Sequence, residues 1–182
     1  MDSKCIWLTG LPSAGKTTLA VGLEQNLTAR KINCIHLDGD IIRKGLNSDL
    51  GFSLADRKEN IRRVAELCRL LLEHNTITIC SFIAPTVEIR EIAKSIIGSG
   101  KFFEVFIDTP KEICALRDPK GLYAKAFKGE IKEFTGVSDP YEAPVDPELT
   151  INTHEQTLDE SVAQIISYLE ARELVPQAQI AD

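Results

Sequence analysis

The sequence contains no apolar run approaching the roughly 20 residues that a membrane helix needs, which excludes a helical membrane span. Its start, Met1-Asp2-Ser3-Lys4, leads straight into the short apolar stretch Cys5–Leu8, and polar residues resume after Gly10. That stretch is too short for a signal-peptide core, so no secretory leader is expected. Positive charge is also scarce: 21 basic residues stand against 27 acidic ones, a net charge of −6. This balance argues against non-specific nucleic-acid or membrane partners. An anionic ligand must be held by local donors. No two cysteines have CxxC spacing, and the five present, Cys5, Cys34, Cys68, Cys80 and Cys114, are an odd number. All but Cys114 lie in strongly apolar runs, so the expectation is reduced thiols used as small core residues in a cytoplasmic protein. A redox-sensing pair is the alternative. Internal repeats and low-complexity segments are absent.

What is there fits an ordinary globular domain. The chain has 182 residues, 43% hydrophobic and 26% charged. A chain of this length buries about 70% of its unfolded surface and needs no disulfide or metal staple. Strand-like runs are Cys5–Thr9, Asn33–Leu37, Thr76–Ile83, Phe102–Ile107 and Leu149–Ile151. Helical periodicity marks Lys16–Arg30, Asp56–His74, Val87–Ile97, Pro110–Arg117 and Leu158–Leu169, with a turn or two at Asp40–Leu46. In Asp56–His74 the apolar residues Ile61, Val64, Ala65, Cys68, Leu71 and Leu72 share one face, and Ser53 is placed to cap it. Strand and helix alternate, which predicts an α/β fold with a mainly parallel sheet in three layers. One domain over residues 1–175 is expected, with a frayed tail over 176–182. Residues 117–147 carry prolines and glycines among charges and show little regular pattern, as a lid or binding loop does.

The sharpest signal is Gly10-Leu11-Pro12-Ser13-Ala14-Gly15-Lys16-Thr17, which fits G-x-x-x-x-G-K-[ST]. Chance produces this pattern in fewer than about one in a hundred chains of this length. It follows an apolar strand and opens an amphipathic helix, the placement a P-loop requires. Glycines let the backbone curl so that N–H groups point inward, and the helix start adds its positive dipole end. Lys16 supplies charge for the β- and γ-phosphates, Thr17 a hydroxyl for Mg²⁺, and Thr18 continues the ATP-binding turn.

Leu37-Asp38-Gly39-Asp40 follows the second strand, where an open α/β sheet faces its ligand. An acid there can hold Mg²⁺ or take a proton from an attacking hydroxyl. Asp40 is favoured for the hydroxyl, although it is also placed to cap the next helical turn. The only strand ending in an aspartate of Walker B type is Phe106-Ile107-Asp108, late in the chain, which leaves Asp38 or Asp40 better placed for the metal. Arg43, Arg57, Lys58, Arg62 and Arg63 offer positive charge to an anionic acceptor. Lys58 and Arg63 read better as a solvated face. Phe52 and Phe134 sit among polar residues, suited to stacking on a base or to closing the edge of the core.

These segments together resemble the adenylylsulfate kinase family along nearly the whole chain. The matching stretches are Ile6–Leu11, the P-loop, Leu37–Asp40, Gly45–Asn47, Leu50–Ser53, Asp56–Glu66, Ser81–Ile83, Glu104–Pro110, Arg117–Tyr123, Phe134–Gly136 and Asp139–Pro144. The resemblance implies a P-loop kinase fold and transfer of the ATP γ-phosphate to the ribose 3′-hydroxyl of adenylyl sulfate (APS), with Mg²⁺, giving 3′-phosphoadenylyl sulfate in sulfate assimilation. It implies that Asp40 faces that hydroxyl and that Arg43, Arg57 and Asn60 contact the acceptor. It further implies that Phe52 and Phe134 sandwich the adenine, that Ile83 and Ala84 line the pocket, and that Lys120 rides on a closing lid. A homodimer is implied as well.

The chain departs from the family pattern in three places. Ile41 stands where the family commonly has asparagine, Ala84 where it has serine, and Val87 where it has arginine. The serine has been regarded as a phosphoserine intermediate, and Ala84 excludes that covalent route. Direct in-line transfer needs no such serine, so activity is still expected, with Arg90 a partial substitute for the missing base at Val87. Two other readings stand beside this one. One is a P-loop kinase for another small acceptor, such as a nucleoside, shikimate or gluconate. The other is a non-catalytic nucleotide-binding module.

Overall fold

A computed structural model describes residues 3–176. In chain order the elements are β1 (Cys5–Thr9), α1 (Lys16–Ala29), β2 (Cys34–Asp38), α2 (Gly39–Lys44), α3 (Leu54–Glu73), β3 (Ile77–Ser81), α4 (Val87–Ile97), β4 (Phe102–Ile107), α5 (Lys111–Arg117), α6 (Leu122–Phe127), β5 (Leu149–Ile151) and α7 (Leu158–Ala171). The five strands run in the order β2-β3-β1-β4-β5, and every neighbouring pair is parallel. The expected tail, apart from Pro176, lies outside the described residues.

Side chains alternate across a strand, so β1 supplies both faces of the sheet. Ile6 and Leu8 pack with Leu19, Leu23 and Leu27 of α1 and Ile165 of α7. Cys5 and Trp7 pack with Ile61, Val64 and Cys68 of α3 and Ile89 of α4. Trp7 stacks on Phe82 at 5.4 Å between ring centroids. Parallel strands covered on both faces must be apolar throughout, which is why β1 and β3 are buried at every position.

Local chemistry sets the helix ends. The Ser53 hydroxyl accepts from the Asp56 N–H, as expected, and Thr157 with Glu160 forms a capping box at α7. Two glycines are required by the turn before α1. Gly15 has φ of 104°, and a Cβ on Gly10 would meet the Ile107 carbonyl oxygen at 2.6 Å.

β2 is separated from β1 by β3 in the sheet. Two readings of the sequence need correction. Asp40 does not cap α2; Asp38 does, accepting from the N–H groups of Asp40 and Ile41. The 117–147 stretch holds a helix, α6, which the pattern of prolines and glycines concealed. Its start is fixed by the Asp118 carboxylate, which accepts from the N–H groups of Tyr123 and Ala124, and its inner side by burial of Tyr123 and Ala126.

Candidate functional site

A cavity of about 820 Å³ opens at the carboxyl ends of the strands, within the size range of small-ligand sites. The turn between β1 and α1 forms one wall. Pro12, Ser13, Gly15, Lys16, Thr17 and Thr18 line the cavity, while Gly10, Leu11 and Ala14 lie behind them. The Ala14 carbonyl accepts hydrogen bonds from Thr109 (3.1 Å), Thr153 (2.7 Å) and Arg117 (3.3 Å), which hold the curl from outside. Tyr123 donates to the Pro12 carbonyl at 3.2 Å and ties α6 to the same turn.

Lys16 folds back on its own loop. Its ammonium donates to the carbonyls of Gly10 (2.9 Å) and Leu11 (2.6 Å). Burial lowers its pKa to about 8, against smaller opposing pulls from Cys114, Asp38 and Asp40. Asp38 is the hub of the second wall. Its carboxylate accepts from Thr17 Oγ1 at 2.8 Å and Ser81 Oγ at 3.0 Å while capping α2. Burial pushes its pKa up, but those donors together outweigh burial and hold it below the ordinary value. His36 Nε2 lies 2.8 Å from Ser81 Oγ and extends the network.

The remaining expected residues fall into the same cavity. Asp40, Arg43, Phe52, Arg57, Asn60, Ile83, Ala84, Lys120 and Phe134 all line it. Asp40 and Lys120 are exposed and paired with each other across the mouth. Arg43 donates to the Leu50 and Gly51 carbonyls and lies 4.6 Å from the centroid of Phe52. Arg57 donates to the Phe52 and Glu133 carbonyls, so α3 and the 117–147 segment meet through it. Asn60 is buried and accepts from Asn47 at 3.0 Å. Phe52 is 58% exposed, whereas Phe134 is buried and packs edge-on against Tyr123.

Other residues stay outside the cavity. Lys58 pairs with Glu88, and Arg63 with Asp49 and Glu59, a solvated face as expected; Arg62 joins it through Glu59. Asp108 is exposed and absent from the lining. Arg90 does not substitute for a base at Val87. It is buried, ion-paired to Glu104 at 3.0 Å, and donates to the Ala84 carbonyl at 2.8 Å. Sequence reading missed Ser81 and Thr153 as parts of the site. Ser81 was legible only as the polar end of an apolar strand, and nothing in the sequence marks Thr153.

The family model for adenylylsulphate kinase matches residues 2–152. The chain belongs to the adenylylsulfate kinase family. An adenylyl-sulfate kinase of Shewanella amazonensis is 49% identical over 94% of this chain and 86% of its own length. One of Bacteroides thetaiotaomicron is 52% identical over 90% of this chain and 82% of its own. The solved structure of the Mycobacterium tuberculosis APS kinase in complex with AMPPNP and APS superposes with a TM-score of 0.90. It is 43% identical and covers 93% of this chain and 98% of that one. The family consists of ATP-using phosphotransferases, and the fold expected from the resemblance is the one observed. No helix among the described residues is long and apolar enough to cross a membrane.

Proposed function

We propose that this chain transfers the γ-phosphate of ATP to the ribose 3′-hydroxyl of adenylyl sulfate, giving ADP and 3′-phosphoadenylyl sulfate. The observation that carries the reading is the meeting of the P-loop and Asp40 in one cavity with Arg43, Arg57, Phe52 and Phe134. That set offers phosphate donors at one end and cation and ring contacts for an anionic nucleotide at the other.

Phosphoryl transfer asks the protein for positioning and charge neutralisation. The curl from Gly10 to Thr18 presents backbone N–H groups to the ATP phosphates. Lys16 exchanges its bonds to the Gly10 and Leu11 carbonyls for phosphate oxygens. Asp40, freed from Lys120, accepts the proton of the acceptor hydroxyl, and Lys120 is then available to phosphate. Arg43, Arg57 and Asn60 bind the acceptor, with Phe52 and Phe134 against its base and the Ile83–Ala84 backbone as the floor. The lid segment, carrying Lys120, excludes water that would hydrolyse ATP.

Thr17 and Asp38 form a hydroxyl–carboxylate pair of hard oxygen donors, which suits Mg²⁺. These two residues would hold the ion, which neutralises phosphate charge when bound. A homodimer, to be measured by sedimentation, and a cytoplasmic setting belong to the same reading.

The test is ADP release from ATP and Mg²⁺ with and without adenylyl sulfate. Release that depends on adenylyl sulfate supports the assignment. Turnover of gluconate or a nucleoside but not adenylyl sulfate overturns it, as does tight binding of both nucleotides with no product.

A further inference from the structure

On the sheet face that packs against α3, three thiols from three elements converge. Cys5 opens β1, Cys80 lies in β3 and Cys68 in α3. Cys80 Sγ is 3.3 Å from Cys68 Sγ and 3.8 Å from Cys5 Sγ, and the three sulfurs all lie within 4.8 Å of one another. Each of these residues is 0% exposed. Thr78 sits opposite Cys5 in the β1–β3 register, equally buried, and its hydroxyl lies against the Cys5 and Cys68 thiols. That hydroxyl has no hydrogen-bond partner of ordinary geometry among the described residues.

One buried cysteine needs no more explanation than a small apolar residue does. Three sulfurs from separate elements, pointing at one spot beside a buried unpaired oxygen, are a different arrangement. We propose that Cys5, Cys68 and Cys80 form a three-coordinate site for a soft monovalent cation of the copper(I) class.

Ligand chemistry selects the ion. Sulfur donors favour copper(I) and zinc over magnesium, calcium or manganese. Structural zinc takes four ligands in a tetrahedron, whereas here the fourth neighbour is a neutral hydroxyl. Metal–sulfur bonds of about 2.3 Å around a trigonal ion set the sulfurs about 4 Å apart. The observed triangle therefore needs only small rearrangement. Cysteine ligates a metal as thiolate, so the three thiols release their protons as the ion enters, and no electron is transferred. The negative charge then left in an apolar layer is costly and is offset by the metal–sulfur bonds. Entry requires local opening between α3 and the sheet, so loading is slower than at a surface thiol.

The site is independent of the phosphoryl-transfer reading. The test uses the full, reduced chain under anaerobic conditions, titrated with copper(I) against the chromogenic chelator bathocuproine disulfonate. The expected result is one copper(I) per chain kept from the chelator, with sulfur-to-copper absorption in the near ultraviolet. Cys68→Ser should lower the apparent affinity at least tenfold, and Cys34→Ser, at the half-exposed thiol, should leave it unchanged. If circular dichroism shows Cys68→Ser unfolded, Cys5→Ala is read instead. The proposal is overturned if the unaltered chain yields all copper to the chelator. It is also overturned if the folded Cys68 or Cys5 variant keeps as much as the parent, or if zinc(II) is held as tightly as copper(I).

Discussion

Thr17 Oγ1 donates to Asp38 Oδ2 at 2.8 Å, joining the first turn of α1 to the end of β2. β2 is not next to β1, the strand that leads into α1, since β3 lies between them. The contact forms because α1 packs across the sheet and brings its start over the carboxyl ends of the strands. Asp38 thus holds a helix cap, a serine and the P-loop hydroxyl with one carboxylate.

Asparagine caps a helix about as well as aspartate, so Asp38→Asn separates the charge from the cap. In the variant, the Mg²⁺ concentration for half-maximal turnover should rise at least about tenfold, while metal-free ATP binding changes little. Magnesium titration at fixed ATP checks this. Stability carries a second signature. The Asp38 carboxyl is held below its ordinary value of 3.8, so its ionised form stabilises the fold above that pH. The contribution is lost as pH falls through the depressed value. Acid unfolding of Asp38→Asn should therefore be less steep in that range than that of the parent.

Lys16 titrates near 8 without nucleotide because burial disfavours its charge. Phosphate stabilises the ammonium and raises that pKa on binding. Above about pH 8, then, ATP binding takes up a proton and weakens as pH rises. Calorimetry at pH 8.5 in buffers of different ionisation enthalpy should show proton uptake, and Lys16→Met should abolish it. The same variant should lower kcat by roughly a hundredfold or more, the scale of losing a preorganised charge at the transferring group. Near-normal turnover would sink the role.

Asp40 is exposed, and its carboxylate pairs with Lys120 across the mouth of the cavity. A general base contributes roughly a hundred- to ten-thousandfold to rate. Asp40→Ala should lose kcat on that scale with ATP affinity within about threefold of the parent. Single-turnover kinetics with separately measured ATP binding decides between this and a purely metal-holding role, in which ATP affinity would fall while kcat survives.

Arg90 holds the pocket floor through the Ala84 carbonyl, and Ala84 itself sits at φ of 43°, in the left-handed region. Removing one member of a buried ion pair costs about 3–5 kcal/mol, so Arg90→Ala should be strongly destabilised in chemical denaturation. Arg90→Lys keeps the charge for Glu104 but lacks the second donor arm. It should stay folded and raise KM for adenylyl sulfate more than it changes kcat.

The P-loop was legible because its residue types are local necessities: glycines for a tight curl, lysine and threonine at the start of the helix. The strands and the long helix were legible because apolar periodicity reflects burial. The α6 helix was hidden because its start is held by Asp118, four residues before the first helical position, and its burial depends on Phe134 and the P-loop. Arg90 was misread because a basic residue near a missing base looks free until Glu104, on another strand, is seen to claim it.

The amino-acid sequence alone determined the alternation of strand and helix and the glycine-rich turn before the first helix, since each follows from short-range sterics and burial; Asn60, Ile83, Ala84 and Lys120 entered only through the family resemblance. Only the tertiary structure decided that Asp38 is the cap and hub while Asp40 stands exposed. It alone decided that Lys120 reaches Asp40 from the 117–147 segment, and that three distant cysteines touch. Those relations depend on the order of strands in the sheet and on how helices lie across it. Local spacing does not encode them, because contacts between residues far apart in the chain are selected by packing the whole domain at once.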